Sequence, residues 1–285
     1  MRVALNYILD LPLKVIYKVR SRINSKKISS TRSDSELTSY LKLVNRGIAN
    51  KQKFRSYFGY RQILEHVTYS QGLLYLNRIR ELDLVSNEEI YSLPHLDVIG
   101  KPRVFDYEEL GYKSPTTLRY FSVASELREI FGTNLGENIA EIGAGFGGQA
   151  IVLDKLFKIG SVTIFDLPDV NTLISSFVRQ FECKSKFYFK SEPERLNPKI
   201  DFVMSNYAFS ELPRELQLTY IEELLTQSPK GYMIMNSGKS NLTGRSNGKI
   251  NFEELKAAIP GLQLGPEIPN TGPDNYVVYW GHPNG

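Results

Sequence analysis

Eleven residues near the middle of the chain carry the chemistry. In Ile139-Ala-Glu141-Ile-Gly143-Ala-Gly145-Phe-Gly147-Gly148-Gln149 an apolar run reads as a short buried strand, the glycines as a turn, and the residues from about Gln149 as a helix. A strand that ends in glycines and feeds a helix brings backbone N–H groups against a ligand with no Cβ between them. Gly143, Gly145 and Gly148 even satisfy the G-x-G-x-x-G of a dinucleotide site, a pattern that is weak by itself. Glu141 argues against that ligand, because a carboxylate at the strand's end would repel a pyrophosphate, whereas beside a cation it is favourable. A second acid follows. Ser161–Phe165 reads as the next strand and Asp166 ends it, the place where an acid receives ribose hydroxyls in this type of fold.

S-adenosylmethionine (SAM) has an ammonium group, a sulfonium and a ribose, so it suits both acids. The acceptor side is expected at the fourth strand tip, Ser205-Asn206-Tyr207-Ala-Phe-Ser210-Glu211-Leu-Pro213. This stretch lacks the Asn/Asp-Pro-Pro-aromatic motif of amino- and base-methylating enzymes, which argues against an exocyclic nitrogen acceptor. A hydroxyl acceptor needs in-line approach and a path for its proton. Glu211 is the first candidate base, although Ser210 and Glu211 equally suit the acid-first start of a helix. His95, whose imidazole has the better intrinsic pKa, is the second. Tyr207 and Asn206 are expected to orient acceptor or cofactor.

The surrounding elements follow. From residue 114 onward, strands and helices alternate as in α/β folds. After a helix begun by Ser114 and Pro115 come strands at 139–142, 161–165, 186–190, 200–205 and 231–235, and a last one in Asn275–Gly281. Parallel pairing of such strands puts ligands at their carboxyl ends. Residues 33–113 divide into helical stripes (Leu37, Leu41, Val44, Ile48, then Ile63, Val67, Leu74, Ile79 after a break at Gly59) and a Pro/Gly-punctuated connector over 86–117. Three segments are therefore expected: an arm over 1–32, a helical cap and connector over 33–113, and a ligand-binding domain over 114–285. The arm is basic and amphipathic. Asp10 and Pro12 interrupt its apolar run, so it suits either a helix packed on the protein or one lying on an anionic membrane surface, not a membrane span.

Composition limits the remaining possibilities. With 285 residues, 41% hydrophobic and 23% charged, the chain can build a large core, and a net charge of +4 does not demand an anionic partner. No nucleic-acid partner is expected. One cysteine, Cys183, forms no internal disulfide and points to a reducing, cytoplasmic location, or to the inner membrane face if the arm binds lipid. His66, His95 and His282 are too scattered for a zinc site, and no metal is expected.

The pattern E-x-G-x-G-x-G over Glu141–Gly147 resembles the first motif of class I SAM-dependent methyltransferases. Together with Asp97-Val-Ile-Gly-Lys-Pro102, Phe105-Asp-Tyr107, Ser114–Tyr120, Asp166-Leu-Pro168, Ser205–Leu212 and Asn275–Gly281, it resembles the bacterial sugar O-methyltransferase family over roughly residues 80–282. The resemblance implies a Rossmann-like sheet with a mostly helical N-terminal cap, and methyl transfer to a hydroxyl of a sugar or surface-polysaccharide precursor. It implies that SAM is held by Glu141, Gly143, Gly145, Gly147, Asp166, Leu167, Asn206 and Tyr120, and that Tyr207, Asp97, Tyr107 and Asn275 meet the glycan acceptor. Rival readings are a phenolic or other small-molecule O-methyltransferase and a SAM- or glycan-binding protein without turnover. A short-chain NAD(P) enzyme is disfavoured, since no tyrosine has a lysine four residues on.

Overall fold

The computed structural model describes residues 34–236 and 248–281. The chain divides into two compact units, Met1–Val123 and Ala124–Gly285. The arm over 1–32 and His282 lie outside the described residues. Among the described residues no helix is long and apolar enough to cross a membrane.

The first unit is mainly helical, with α1 Asp34–Ala49, α2 Phe58–Ile63, α3 Tyr69–Leu82 and α4 Asn87–Tyr91. Gly59 lies inside α2 instead of breaking it. A Cβ there would come within 2.8 Å of Leu43 Cδ1, so the glycine marks where α1 and α2 close on each other. Capping boxes open α3 (Thr68 with Gln71) and α4 (Ser86 with Glu89). The segment expected as an irregular connector is packed. It forms a small antiparallel hairpin, β1 Phe105–Asp106 and β2 Tyr112–Lys113, and buries Ile90, Leu96, Phe105, Tyr107 and Leu110. Those residues follow neither the helix nor the strand period, so periodicity does not reveal them. The Arg55 side chain is fully buried in this unit. Its Nε donates to Glu65 Oε1 at 2.5 Å and its Nη1 to the carbonyls of Leu96 and Ile99 at 2.5 and 3.3 Å.

Helix α5, Pro115–Phe131, carries the chain from the first unit into the second, and Gly132 ends it at φ +69°. The second unit is built on a seven-stranded sheet of order β5-β4-β3-β6-β7-β9-β8. The strands are β3 Asn138–Ile142, β4 Ser161–Phe165, β5 Lys186–Lys190, β6 Phe202–Asn206, β7 Lys230–Met235, β8 Gln263–Pro266 and β9 Tyr276–Trp280. β3 to β7 pair in parallel, β9 is antiparallel to β7, and β8 is antiparallel to β9. Helices α6 Gly148–Leu156, α7 Pro168–Val178, α8 Ala208–Glu211, α9 Arg214–Glu223 and α10 Phe252–Ala258 connect them.

Counted from the glycine strand, the order is 3-2-1-4-5-7-6. It differs from the dinucleotide order 3-2-1-4-5-6 by the antiparallel strand inserted next to the edge. The fold is α/β and Rossmann-like. β3 and β6 are neighbours whose connections leave toward opposite halves of the sheet, so the switch-point crevice opens at their carboxyl ends. Edge strand β8 escapes sequence reading because Gln263-Leu-Gly-Pro266 has no period-2 pattern; its partner-facing N–H groups are satisfied by β9 alone.

Within this unit α5 is tied to the sheet by one buried bond. Tyr232, in β7, is fully buried, and its hydroxyl donates to Glu126 Oε2 at 2.6 Å. Burial and the Glu126 charge push the phenol well above its ordinary range, so it stays a donor at any working pH. Tyr232→Phe is expected to lower the unfolding free energy by about 1–3 kcal/mol, the cost of losing a bond to a charged group. Urea denaturation measures this.

Candidate functional site

The turn from β3 into α6 is held by close packing as well as by glycine conformation. Gly143, Gly145 and Gly147 adopt φ of +72°, +63° and +89°, which other residues rarely take. A Cβ on Gly143 would lie 2.1 Å from Ala208 Cβ, and one on Gly147 would lie 2.8 Å from Ile174 Cγ2. The sequence points to these glycines for ligand approach; the structure adds that α8 and α7 press directly on the turn. Ser205 fastens the arrangement. Its Oγ donates to the Ile142 carbonyl at 2.8 Å and accepts from the Phe209 N–H at 3.0 Å, joining the tip of β3 to the tip of β6.

Glu141 is 2% exposed, and its Oε2 has no hydrogen-bond partner among the described residues. Burial, with the neighbouring Asp166 charge adding to it, pushes the carboxyl up to about 8. Asp166 follows β4 directly. Its N–H donates to the Lys190 carbonyl at 3.1 Å, and its Oδ1 accepts from the Leu167 N–H at 2.8 Å, just before Pro168 opens α7. Asn171 Nδ2 donates to the carbonyls of Asp166 and Lys190 at 2.8 and 2.9 Å, leaving its Oδ1 without a partner among the described residues. On β6, Asn206 Nδ2 donates to Gln149 Oε1 at 3.3 Å, and Asn206 Oδ1 is likewise without a partner. Three buried acceptor oxygens without donors among the described residues, on elements that meet at the carboxyl ends of β3, β4 and β6, suit a ligand that brings donors and positive charge.

Beyond Asn206 the backbone is strained. Tyr207 sits at φ +69°, ψ −33°, a conformation that costs a bulky residue energy and is held by the surrounding structure. Its hydroxyl donates to Glu267 Oε1 and lies 3.5 Å from Thr271 Oγ1. Glu267 is 5% exposed and also accepts from Thr271 N at 2.6 Å, from Thr271 Oγ1 at 2.9 Å, and from Asn275 Nδ2 at 3.0 Å. Tyr207 and Asn275, both named from the sequence, thus converge on one carboxylate. Sequence reading missed Glu267, because Glu267-Ile-Pro-Asn-Thr271 carries no motif and only the β8–β9 pairing brings it to this edge.

The remaining expected residues are placed as follows. Glu211 ends α8 on the exposed surface, and its Oε1 accepts from Asn236 Nδ2 at 3.0 Å while its carbonyl accepts from Lys249 Nζ at 2.8 Å. His95, Asp97, Tyr107 and Tyr120 belong to the first unit. His95 is exposed in the turn Pro94–Asp97. Asp97 is tied to Lys113 Nζ at 3.1 Å and to the Ser114 N–H at 2.8 Å. Tyr107 is buried, with its hydroxyl donating to the Tyr69 carbonyl at 3.3 Å above Gly72, whose missing Cβ makes the room. Tyr120 is buried within α5.

No protein-family model matches the chain, and no curated protein matches it. Among solved structures, the chain is similar to a SAM dependent methyltransferase from Aquifex aeolicus at 20% identity, with a TM-score of 0.39 over 54% of this chain and 91% of that one. It is similar to magnesium protoporphyrin IX methyltransferase from Synechocystis PCC 6803 with bound SAM at 14% identity, with a TM-score of 0.43 over 56% and 76%. The methyltransferase domain of a bacterial Hen1 protein gives 12% identity and a TM-score of 0.43 over 56% and 96%. These are likenesses of fold alone.

The buried carboxyl has a consequence for stability. With Glu141 raised to about 8 in the folded chain and near 4.5 when unfolded, the unfolded state loses its proton first. Stability conferred by the neutral form is therefore present below about pH 4.5 and falls as pH rises toward 8. Glu141→Gln keeps the shape and removes the titration. The variant is expected to melt higher than the parent at pH 8 and level with it at pH 4.5, as scanning calorimetry without ligand would show.

Proposed function

We propose that the chain is a SAM-dependent O-methyltransferase acting on a hydroxyl of a sugar or of a surface-polysaccharide precursor. The observation that carries the cofactor is the buried, partnerless Glu141 Oε2 beside a glycine turn in the crevice at the carboxyl ends of β3 and β6. An anionic pyrophosphate gains nothing from that oxygen once the carboxyl ionises, whereas a cationic ligand supplies the missing donor and favours ionisation. In this reading Glu141 and the glycine turn receive the amino-acid end of SAM. Asp166 and Leu167 receive the ribose, and Asn206, steadied by Gln149, bounds the crevice on the β6 side. When bound, SAM supplies a methyl group made electrophilic by the positive sulfur.

The chain's own part is to bind, orient and take up a proton. Tyr207 and Asn275 face the acceptor in this proposal, on the side of β6 away from Gln149. Glu211 stands as the proton acceptor from its place at the end of α8. The sugar class rests on the motifs between residues 97 and 281 that resemble the sugar O-methyltransferases, and on the want of an Asn/Asp-Pro-Pro-aromatic sequence after β6.

Titration calorimetry tests the cofactor. SAM and S-adenosylhomocysteine should bind and NAD should not. Between about pH 5.5 and 7, binding should release close to one proton, read from buffers of different ionisation enthalpy, and tighten with pH by at most about tenfold per unit. Asp166→Ala should weaken SAM by about 1–3 kcal/mol. Tight NAD binding with no response to SAM would refute the proposal.

A further inference from the structure

Charge is distributed unevenly along the chain. Residues 1–64 hold 14 lysines and arginines against 3 acids, Asp10, Asp34 and Glu36, a net charge of +11. The remaining residues hold 21 against 28, a net charge of −7, so the overall +4 conceals a strongly basic first part. No acid occurs over 11–33 or over 37–64. An asymmetry of this size gives the basic part a field of its own, felt by anionic partners within about 8 Å at physiological salt.

Part of this charge lies on the described surface of the first unit. Lys42 and Arg46, four residues apart on α1, share a face of that helix. Lys51 and Lys53 follow in the turn after it. All four are exposed, and none forms an ion pair among the described residues. The corner that carries them is pinned from within. The Asn50 N–H donates to the Arg46 carbonyl at 3.1 Å, and the Lys53 N–H to the Asn50 carbonyl at 3.3 Å. Phe54 and Arg55, next in sequence, are fully buried, and the Arg55 N–H donates to the Gly100 carbonyl at 2.9 Å. The Arg46 guanidinium lies 4.4 Å from the centre of the Tyr57 ring, and Phe58 beside it is 48% exposed. Cations held on a fixed corner around exposed aromatic surface suit an interface that is anionic outside and apolar beneath.

We propose that residues 1–64 bind an anionic membrane surface, the arm over 1–32 and the corner of Lys42, Arg46, Lys51 and Lys53 meeting its headgroups together. The arm's sequence chooses lipid over nucleic acid. Its lysines and arginines are interleaved with apolar residues, among them Leu5, Ile8, Leu9, Val15, Ile16 and Val19. A phosphodiester backbone rewards the cations and offers the apolar side chains nothing. Below lipid headgroups each apolar side chain leaves water while its basic neighbours stay among phosphates. The two contributions reinforce each other. Lysines and arginines concentrate the chain at the surface, and the apolar residues hold it there. SAM takes no part in this contact, so its failure would leave the methyltransferase reading standing, and the reverse.

Flotation of the full chain with lipid vesicles tests this. The chain should float with vesicles of equal parts phosphatidylcholine and phosphatidylglycerol, and stay behind with phosphatidylcholine alone. Raising salt from about 0.1 to about 1 M, which shortens the Debye length from about 10 to about 3 Å, should lower the bound fraction. Lys51→Gln with Lys53→Gln should weaken partitioning by about fivefold per residue, with the melting temperature unchanged. Ile16→Ser with Val19→Ser should weaken it by about tenfold or more. Lys155→Gln with Lys158→Gln, exposed in the second unit, lowers the net charge equally and should partition like the parent. A labelled single-stranded RNA, followed by fluorescence anisotropy, is the competing probe. Tighter binding to that RNA than to the anionic vesicles would overturn the proposal in favour of nucleic acid. It would also be overturned by no flotation with anionic vesicles, by equal flotation with neutral ones, by parent-like partitioning of either variant of residues 1–64, or by an equal loss from the second-unit pair.

Discussion

Glu141 is part of the central strand, paired through its backbone to β4 on one side and β6 on the other, and it cannot move out of the sheet to find water. The same pairing that buries it leaves one carboxylate oxygen without a donor, and the nearest charge, Asp166, is of the same sign. A buried acid without a counterion costs the free chain stability, so it points to a partner absent from the chain itself. Close packing fixes the surroundings of this carboxyl. The glycine turn, the Ser205 bolt and the press of Ala208 and Ile174 against the turn hold the tips of β3 and β6 together.

The glycines show how one residue type satisfies two constraints. Positive φ at three alternate positions lets the chain reverse from strand to helix within a few residues. At Gly143 and Gly147 there is also no space for a side chain on the protein side. Backbone approach to a ligand and close contact with α7 and α8 thus draw on the same missing methyl groups, and a substitution in the turn disturbs site and core together.

The polar edge around Tyr207 and Glu267 depends on topology alone. Inserting β9 antiparallel between β7 and β8 returns the chain so that Glu267, Thr271 and Asn275 come to the edge where Tyr207 emerges, some sixty residues away in sequence. With only parallel strands in the dinucleotide order, the segment after the last strand would not return beside β7. Tyr207 accepts an unfavourable backbone conformation there, and its bond to a nearly buried carboxylate is what holds the ring.

The amino-acid sequence by itself determined the α/β alternation of the second unit. β4 and β5 keep the bounds that the sequence predicts, and β3, β6, β7 and β9 differ from them by one or two residues; the central strands β3, β4, β6 and β7 are legible because a strand buried on both faces is a nearly continuous apolar run. It also determined that Glu141 and Asp166 stand at the carboxyl ends of neighbouring strands, since local spacing alone puts them there. The tertiary structure alone decided what depends on contacts distant in sequence. Burial that strips Glu141 of donors comes from strands on both sides. The packing of residues 86–113 rests on apolar residues with no period, and Gly59 stands near the start of α2 where Leu43 leaves no room for a side chain. Glu267 is the clearest case. Nothing in Glu267-Ile-Pro-Asn-Thr271 announces the hydrogen-bonded cluster with Tyr207 and Asn275, which forms when edge strand β8, itself without a sequence pattern, pairs with β9.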